Sequence, residues 1–174
     1  GKGVAAEIRL TDECRKRTKA TGKYQPLSSA GAKAFPKHMG IAADAKEYGV
    51  FRGTQHDTLV ITEGAKKAQI IAERLGYDAI SIRGVGNWQR VPEDLVHRFP
   101  DVKRVIVAFD MDRYKNTNVH IQHEKFLKAL MNRTHLNIDV YEWDRQYKGI
   151  DDAILAGAEM SIIGYQRPEV LETE

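Results

Sequence analysis

Val105-Ile-Val-Ala-Phe-Asp-Met-Asp112 is a run of five apolar residues that ends in two carboxylates one residue apart. The apolar run shows no polar alternation, so both faces of a strand formed here are expected to be covered, as in a parallel sheet flanked by helices. Asp110 and Asp112 fall where such a strand empties into a loop. Residues i and i+2 of a strand point to one side, so the two carboxylates repel each other unless a cation or basic group lies between them. Mg²⁺, or Mn²⁺ in its place, is the expected guest, because it takes hard oxygen ligands.

Strand–helix alternation extends outward from this stretch. Upstream, Thr58-Leu-Val-Ile-Thr-Glu63 predicts a strand and Ala65 to Leu75 a helix, with Ala68, Ile71, Ala72 and Leu75 at the spacings that bury one face and Gly76 as the stop. Asp78 to Arg83 predicts a second strand, Gly84-Val-Gly-Asn-Trp88 a glycine turn, and Pro92 to Arg98 a short helix with proline in its first turn. Downstream, a helix is expected from about Asn118 to Asn132, with Val119, Phe126, Leu127 and Leu130 on or near one face. A strand over Asn137–Trp143 follows, then Lys148-Gly-Ile-Asp-Asp152 leading into a helix that ends at Gly157. Four strands alternating with helices imply an α/β fold with a mostly parallel sheet. Ser161-Ile-Ile-Gly-Tyr165 reads as an edge strand, so 161–174 is an edge strand or tail after a core at 58–160.

Residues 1–57 read differently, as an irregular antiparallel extension packed on that core. Ala6-Glu-Ile-Arg-Leu10 alternates like a short strand, Gly22-Lys-Tyr-Gln-Pro-Leu27 is its expected partner across a basic, polar loop, and Tyr48–Gly53 is a further short strand. Ser28 to Gly40 has no periodic face and reads as loop. The formal net charge is +3, yet 1–57 carry 11 Lys/Arg against 6 Asp/Glu while 58–174 carry 16 against 18. The basic excess therefore lies in the first third, where Arg15-Lys-Arg-Thr-Lys19, Lys23, Lys33 and Lys37 suit either a solvated loop or contact with phosphate backbones.

At 174 residues and 42% hydrophobic content the chain has enough apolar material for one substantial core. No apolar run approaches a membrane span and no signal pattern opens the chain, which leads us to expect no membrane partner and a cytoplasmic location. The single cysteine, Cys14, has no partner within the chain, and no Cys/His cluster has zinc spacing. His120 and His123 are three apart and can share a helix face, but no third ligand is near them in sequence.

In open parallel sheets, ligands bind beyond the carboxyl ends of the strands, and Glu63, Asp110 and Asp112 are acidic residues at such ends. Each alone has a plainer reading, as a cap, a turn or a solvated residue. Gly64, directly after Glu63, lets backbone or ligand come close. Gly84 and Gly86 form a loop whose amides suit a phosphate, although its spacing is neither a Walker loop nor a dinucleotide fingerprint. Trp88 has two readings, as a base-stacking residue or as packing for the loop. Arg113 and Lys115 directly follow the aspartates and read as a basic rim on the acidic site.

Thr62-Glu63-Gly64 and Asp110-Met111-Asp112 resemble the Toprim domain of topoisomerases, bacterial primases and some nucleases, whose pattern is a strand ending in Glu-Gly and a later one ending in Asp-x-Asp. Ile61-Thr-Glu-Gly-Ala-Lys-Lys-Ala68, Gly84–Trp88, Ala108–Asp112, Asn118-Val119 and Lys148–Asp152 are similar to Toprim-like domains of plasmid, phage and mobile-element replication proteins, found beside primase and helicase modules. The resemblance covers most of residues 6–157. It implies a Toprim-like (Rossmann-like) sheet of about four strands and a Mg²⁺-dependent phosphoryl- or nucleotidyl-transfer site acting on DNA, RNA or nucleotides. In that site Asp110 and Asp112 are implied metal ligands, and Glu63 a further ligand or general acid/base. Lys67, from the Glu-Gly-x-x-Lys pattern, and Lys148 are implied phosphate contacts, with Asp151 and Asp152 close by. A solvated helix lysine at 67 and helix capping by Asp151 or Asp152 are the plainer alternatives. The implied protein is a primase-like part of a larger chain, working with helicase or primase modules; a metal-dependent nuclease and a binding module without turnover are the other expectations.

Overall fold

β-Branched and aliphatic residues fill the centre of the sheet, and their burial decides which strands lie inside. The computed structural model describes residues 7–9, 11–18, 24–26 and 48–165. The chain divides into two compact units, Gly1–Glu47 and Tyr48–Glu174, so the second unit begins before the Thr58 boundary read from the sequence.

In the first unit, β1 (Glu7–Arg9) pairs antiparallel with β2 (Tyr24–Pro26), Glu7 opposite Pro26 and Arg9 opposite Tyr24. The expected pairing is present, but the segment between them is not all loop. Asp12–Thr18 forms helix α1, with Asp12 and Glu13 in its first turn, where negative charge opposes the positive end of the helix dipole. The expected Ser28–Gly40 loop and the lysines at 19, 23, 33 and 37 lie outside the described residues.

The second unit is a six-stranded sheet in the order β3-β5-β4-β6-β7-β8. Its centre is parallel: β5 (Tyr77–Ile82), β4 (Gln55–Glu63), β6 (Arg104–Ala108) and β7 (Asn137–Trp143). Both edges are antiparallel, β3 (Gly49–Phe51) on β5 and β8 (Met160–Gly164) on β7. The sheet is thus mixed: four parallel strands, as expected, are flanked by β3 within the short strand read at Tyr48–Gly53 and by β8 at the edge strand read at Ser161–Tyr165. Length explains β8. Helix α5 (Ile150–Leu155) has six residues, which reach about 9 Å, whereas returning along the seven residues of β7 needs about 23 Å. The chain therefore re-enters the sheet from the edge it left and runs backwards.

Alternate residues of the central strands feed two separate cores, as the two-residue period of a strand requires. Leu59, Ile61, Ile80, Ile82, Val105 and Val107 pack with Val91 and Leu95 of α3 (Val91–Arg98) and with Phe126, Leu127 and Leu130 of α4 (Thr117–Arg133). Val60, Ala79, Ile106 and Ala108 face the other way, onto Ala68 and Ile71 of α2 (Ala65–Leu75) and Ile150 and Ala153 of α5. This second unit is an α/β/α sandwich. Helix α2 has the bounds read from its sequence because Gly76 takes the left-handed conformation that stops it, at φ 75°. Asn116 caps α4, its side chain accepting from the amides of Asn118 at 3.1 Å and Val119 at 3.4 Å.

Chain order reverses between β4 and β6. From β4 the chain goes outward to β5, returns across β4 to β6, and continues outward on the other side to β7. The carboxyl ends of β4 and β6 therefore border the crevice at which open α/β sheets hold ligands.

Phe126 is fully buried, with Phe109 stacked on it at 5.6 Å and Trp88 tilted against it at 5.6 Å. We expect Phe126→Ala to cost about 3–5 kcal/mol in chemical denaturation. A loss below about 1 kcal/mol would mean that the α4 face does not pack the sheet as described.

Candidate functional site

Glu63 is the last residue of β4, and the residues after β6 lie beside it because β4 and β6 pair in register, Thr62 opposite Ala108. Glu63 accepts from the Val85 amide at 3.1 Å, which ties the carboxylate to the glycine loop after β5. Burial first, then the nearby Asp110 charge, push the Glu63 carboxyl above its ordinary range, against the pull of Lys67 and of the Asp110 backbone N–H. Asp110 is likewise raised by burial, more than Lys67 draws it down. Glu63 and Asp110 therefore share one partly desolvated pocket of negative charge.

Two ammonium groups meet the aspartates, Lys67 within that pocket and the mostly exposed Lys148 at its edge. Lys67, in the first turn of α2, donates to Asp110 Oδ1, and both side chains are largely buried. Lys148, from the loop before α5, lies 3.1 Å from Asp112 Oδ2, and that hydrogen bond raises its ammonium above the usual lysine range. Gly149 makes room for Lys67: a Cβ there would lie 2.8 Å from Lys67 Cε. The Met111 amide donates to Lys148 O at 2.9 Å and joins the aspartate turn to the lysine loop. Asp110 caps no backbone group; its carboxylate is held by Lys67 instead.

The other residues singled out in the sequence divide into those near this cluster and those drawn elsewhere. Asp151 is buried and pairs with Lys66 at 3.0 Å, while Asp152 is exposed; neither caps α5, whose N-cap is Gly149 without a side-chain bond. Gly64 and Gly84 adopt positive φ, 83° and 82°, and a Cβ at Gly64, Gly84 or Gly86 would meet open space. Of the glycine loop's amides, that of Gly84 is committed to Ile82 O, that of Val85 to Glu63 and that of Asn87 to Gly84 O. Trp88 packs on Phe126 and donates to Gln122 Oε1 at 3.2 Å, the packing alternative rather than a free stacking face.

Arg113 corrects the expected basic rim. It is buried and turned away from the aspartates, donating to Phe109 O at 2.5 Å, Tyr141 O at 3.2 Å and Glu142 Oε1 at 2.5 Å. Arg113 lies in the 3₁₀ turn Met111–Tyr114, and its donors find their acceptors at Phe109 and on β7 rather than at the aspartates. Lys115 is exposed, and the basic groups that meet the aspartates are Lys67 and Lys148. Lys66, Glu142, Tyr114 and Arg145 carry no local signal in the sequence, since nothing local marks a residue whose partner lies on another element.

Among the described residues no three His, Cys, Asp or Glu side chains are grouped as a ready metal cage. His123 is buried against the edge of Phe109, and its Nε2 meets no hydrogen-bond partner among the described residues. Burial, with Arg113 and His120 adding to it, lowers its pKa to about 3. Its 3.6 Å approach to Glu124 is accordingly no ion pair at neutral pH.

The profile of a family described as a domain of unknown function, DUF3854, matches residues 50–160. The chain belongs to that family. All the clustered residues of this DUF3854 domain, Glu63 and Lys67 through Lys148 and Asp151, fall within the matched span. Among curated proteins, an uncharacterized protein of Picosynechococcus sp. is 30% identical over 116 residues, covering 56% of this chain and 11% of that protein. The chain thus spans about a tenth of the length of that relative. No solved structure matches it.

His123 gives a pH prediction. The unfolded chain takes up this proton near pH 6.5 and the folded chain only near pH 3, so stability is lost as pH falls between these values. The loss amounts to roughly 4 kcal/mol by the lower end. Denaturation midpoints of His123→Leu should depend less steeply on pH over this window than those of the parent; equal slopes would show that His123 is not held neutral.

Proposed function

We propose that this DUF3854 domain is a Toprim-like, Mg²⁺-dependent phosphoryl- or nucleotidyl-transfer domain of a primase-like replication protein. The observation that carries the reading is the shared pocket of Glu63 and Asp110, with Asp112 beside them, at the strand-order reversal between β4 and β6. Nothing else in the fold requires charge to be concentrated there, and perturbed carboxylates in a cleft are typical of working sites.

The donor set suits Mg²⁺, which is commonly held by one or two carboxylates and keeps waters and free positions for phosphate oxygens. Asp110 and Asp112 would hold it, with Glu63 as a third ligand or as the group that accepts or returns a proton. When bound, the ion supplies neutralisation of the charge that develops on the transferring phosphoryl group. Lys67 and Lys148 each pair with one of these aspartates. Once released, both ammoniums are near enough to meet substrate phosphates. A nuclease of the same fold needs the same set, and products from labelled single-stranded DNA separate the two: shortened strands mean cleavage, template-dependent extension means priming.

The two lysine–aspartate pairs also favour a second reading, a nucleic-acid-binding module without turnover, since a lysine of the same chain neutralises each aspartate. Mn²⁺ titration by calorimetry at one ionic strength decides between them. The metal reading expects binding to the parent and none to Asp110→Ala/Asp112→Ala. It also expects Lys67→Gln to bind Mn²⁺ about tenfold more tightly, because the ion no longer displaces a charge-assisted hydrogen bond. Lys66→Gln, which removes the same charge from the pair with Asp151, should leave the affinity near the parent's. Absence of binding to both the parent and Lys67→Gln would rule out a metal site on this chain and leave the binding module.

A further inference from the structure

Tyr114 closes the 3₁₀ turn that begins beside Asp110, and it is 45% exposed. Its hydroxyl donates to Glu142 Oε1 at 2.7 Å, and the same oxygen accepts from the buried Arg113 at 2.5 Å. The ring is therefore fixed in orientation although it reaches solvent. Arg145, from the loop after β7, lays its guanidinium over this ring, Cζ 3.9 Å from the centroid. Arg145 is exposed, and among the described residues no carboxylate pairs with it, whereas Arg52, Arg104 and Arg113 are paired with Asp78, Asp139 and Glu142.

The place of this pair in the fold matters as much as its chemistry. Tyr114 is two residues from Asp112 and Arg145 is three from Lys148, and Asp112 and Lys148 are themselves in contact. The bond from the Met111 amide to Lys148 O holds the two segments together. One end of this paired loop thus carries the acidic site, and the other carries a flat cationic surface, the Tyr114 ring with the Arg145 guanidinium 3.9 Å and the buried Arg113 guanidinium 5.0 Å from its centroid.

The geometry points to Tyr114 and Arg145 as a stacking site for an unpaired base of a single-stranded nucleic acid whose phosphates lie toward Lys148 and the aspartates. Aromatic rings and guanidinium planes are the surfaces on which proteins stack splayed bases, and they do so with little regard to sequence. A cation–π contact at an exposed site is weaker than base stacking on a ring, so a base either displaces Arg145 from Tyr114 or extends the stack on the guanidinium's outer plane. The uncompensated charge of Arg145 and the exposed Lys115 complement the strand's phosphates. This site presupposes the nucleic-acid substrate proposed above.

The test is fluorescence anisotropy of the full chain in metal-free buffer at fixed salt, with labelled oligothymidylate and an abasic strand of the same length. We expect the parent to prefer the base-bearing strand about tenfold. Tyr114→Ala should abolish that preference while leaving abasic-strand binding unchanged, and Tyr114→Phe should keep it. Arg145→Lys, which keeps the charge and loses the plane, should reduce it. The exposed positions of both residues make these variants safe for the fold, which circular dichroism verifies. If the parent binds both strands equally, or Tyr114→Ala keeps the preference, the stacking site is overturned while a phosphate-binding site stands. If the parent binds neither strand, the nucleic-acid reading falls, and the stacking site with it.

Discussion

The register between β4 and β6 fixes where the Glu63 carboxylate meets the aspartates that follow Ala108. Thr62 Oγ1 donates to Ala108 O at 2.9 Å inside the sheet, locking Thr62 opposite Ala108. A slip of one residue would turn each strand's side chains to the opposite face, exchanging Leu59 and Ile61 with Val60 between two cores of different partners. Such a slip is excluded by packing, so the ends of the two strands are level. Glu63 and Asp110 are then forced into one pocket by hydrophobic residues that have no part in its chemistry.

That pocket opposes folding before it can do anything else. Two carboxylates whose ionisation is disfavoured by burial and by each other destabilise the native state at neutral pH. The Lys67–Asp110 pair offsets part of this, but a buried ion pair rarely adds net stability over apolar residues of the same size. The sheet tolerates the arrangement because its other contacts are so regular: Leu59, Val60, Ile61, Val105, Ile106 and Val107 are all fully buried. An unfavourable cluster held by a strong core is what a binding or reacting site needs, since the groups cannot relax away from one another.

These physical causes also explain which parts could be read from the sequence. The bounds of α2 and β7 came out as predicted because their signals are local: a helical apolar face stopped by a left-handed glycine, and a strand of seven residues ending at Trp143. Placement of Glu63 and the aspartates at strand ends followed from the same local signals. β8 was legible as an edge strand, but its antiparallel direction was not, since that depends on how far α5 reaches, a question of length rather than residue type. Helix α1 was hidden because a basic, polar segment is equally consistent with loop. Arg113 misled because nearness in sequence was read as nearness in space, whereas its guanidinium is drawn to Phe109 O and to acceptors on β7.

Arg113 then takes a different place in the logic of the site. Its guanidinium joins three things that arise at different points of the chain: the carbonyl of Phe109 at the end of β6, the carbonyl of Tyr141 and the carboxylate of Glu142, both in β7. A buried arginine is expensive unless its donors are met, and these partners all come from backbone or from a residue on a fixed strand. The turn that carries Asp110 and Asp112 is therefore anchored from below, independently of whether a lysine, an ion or a phosphate lies above it. The backbone that presents the aspartates is thus held by contacts that involve neither carboxylate, which separates holding the site together from using it.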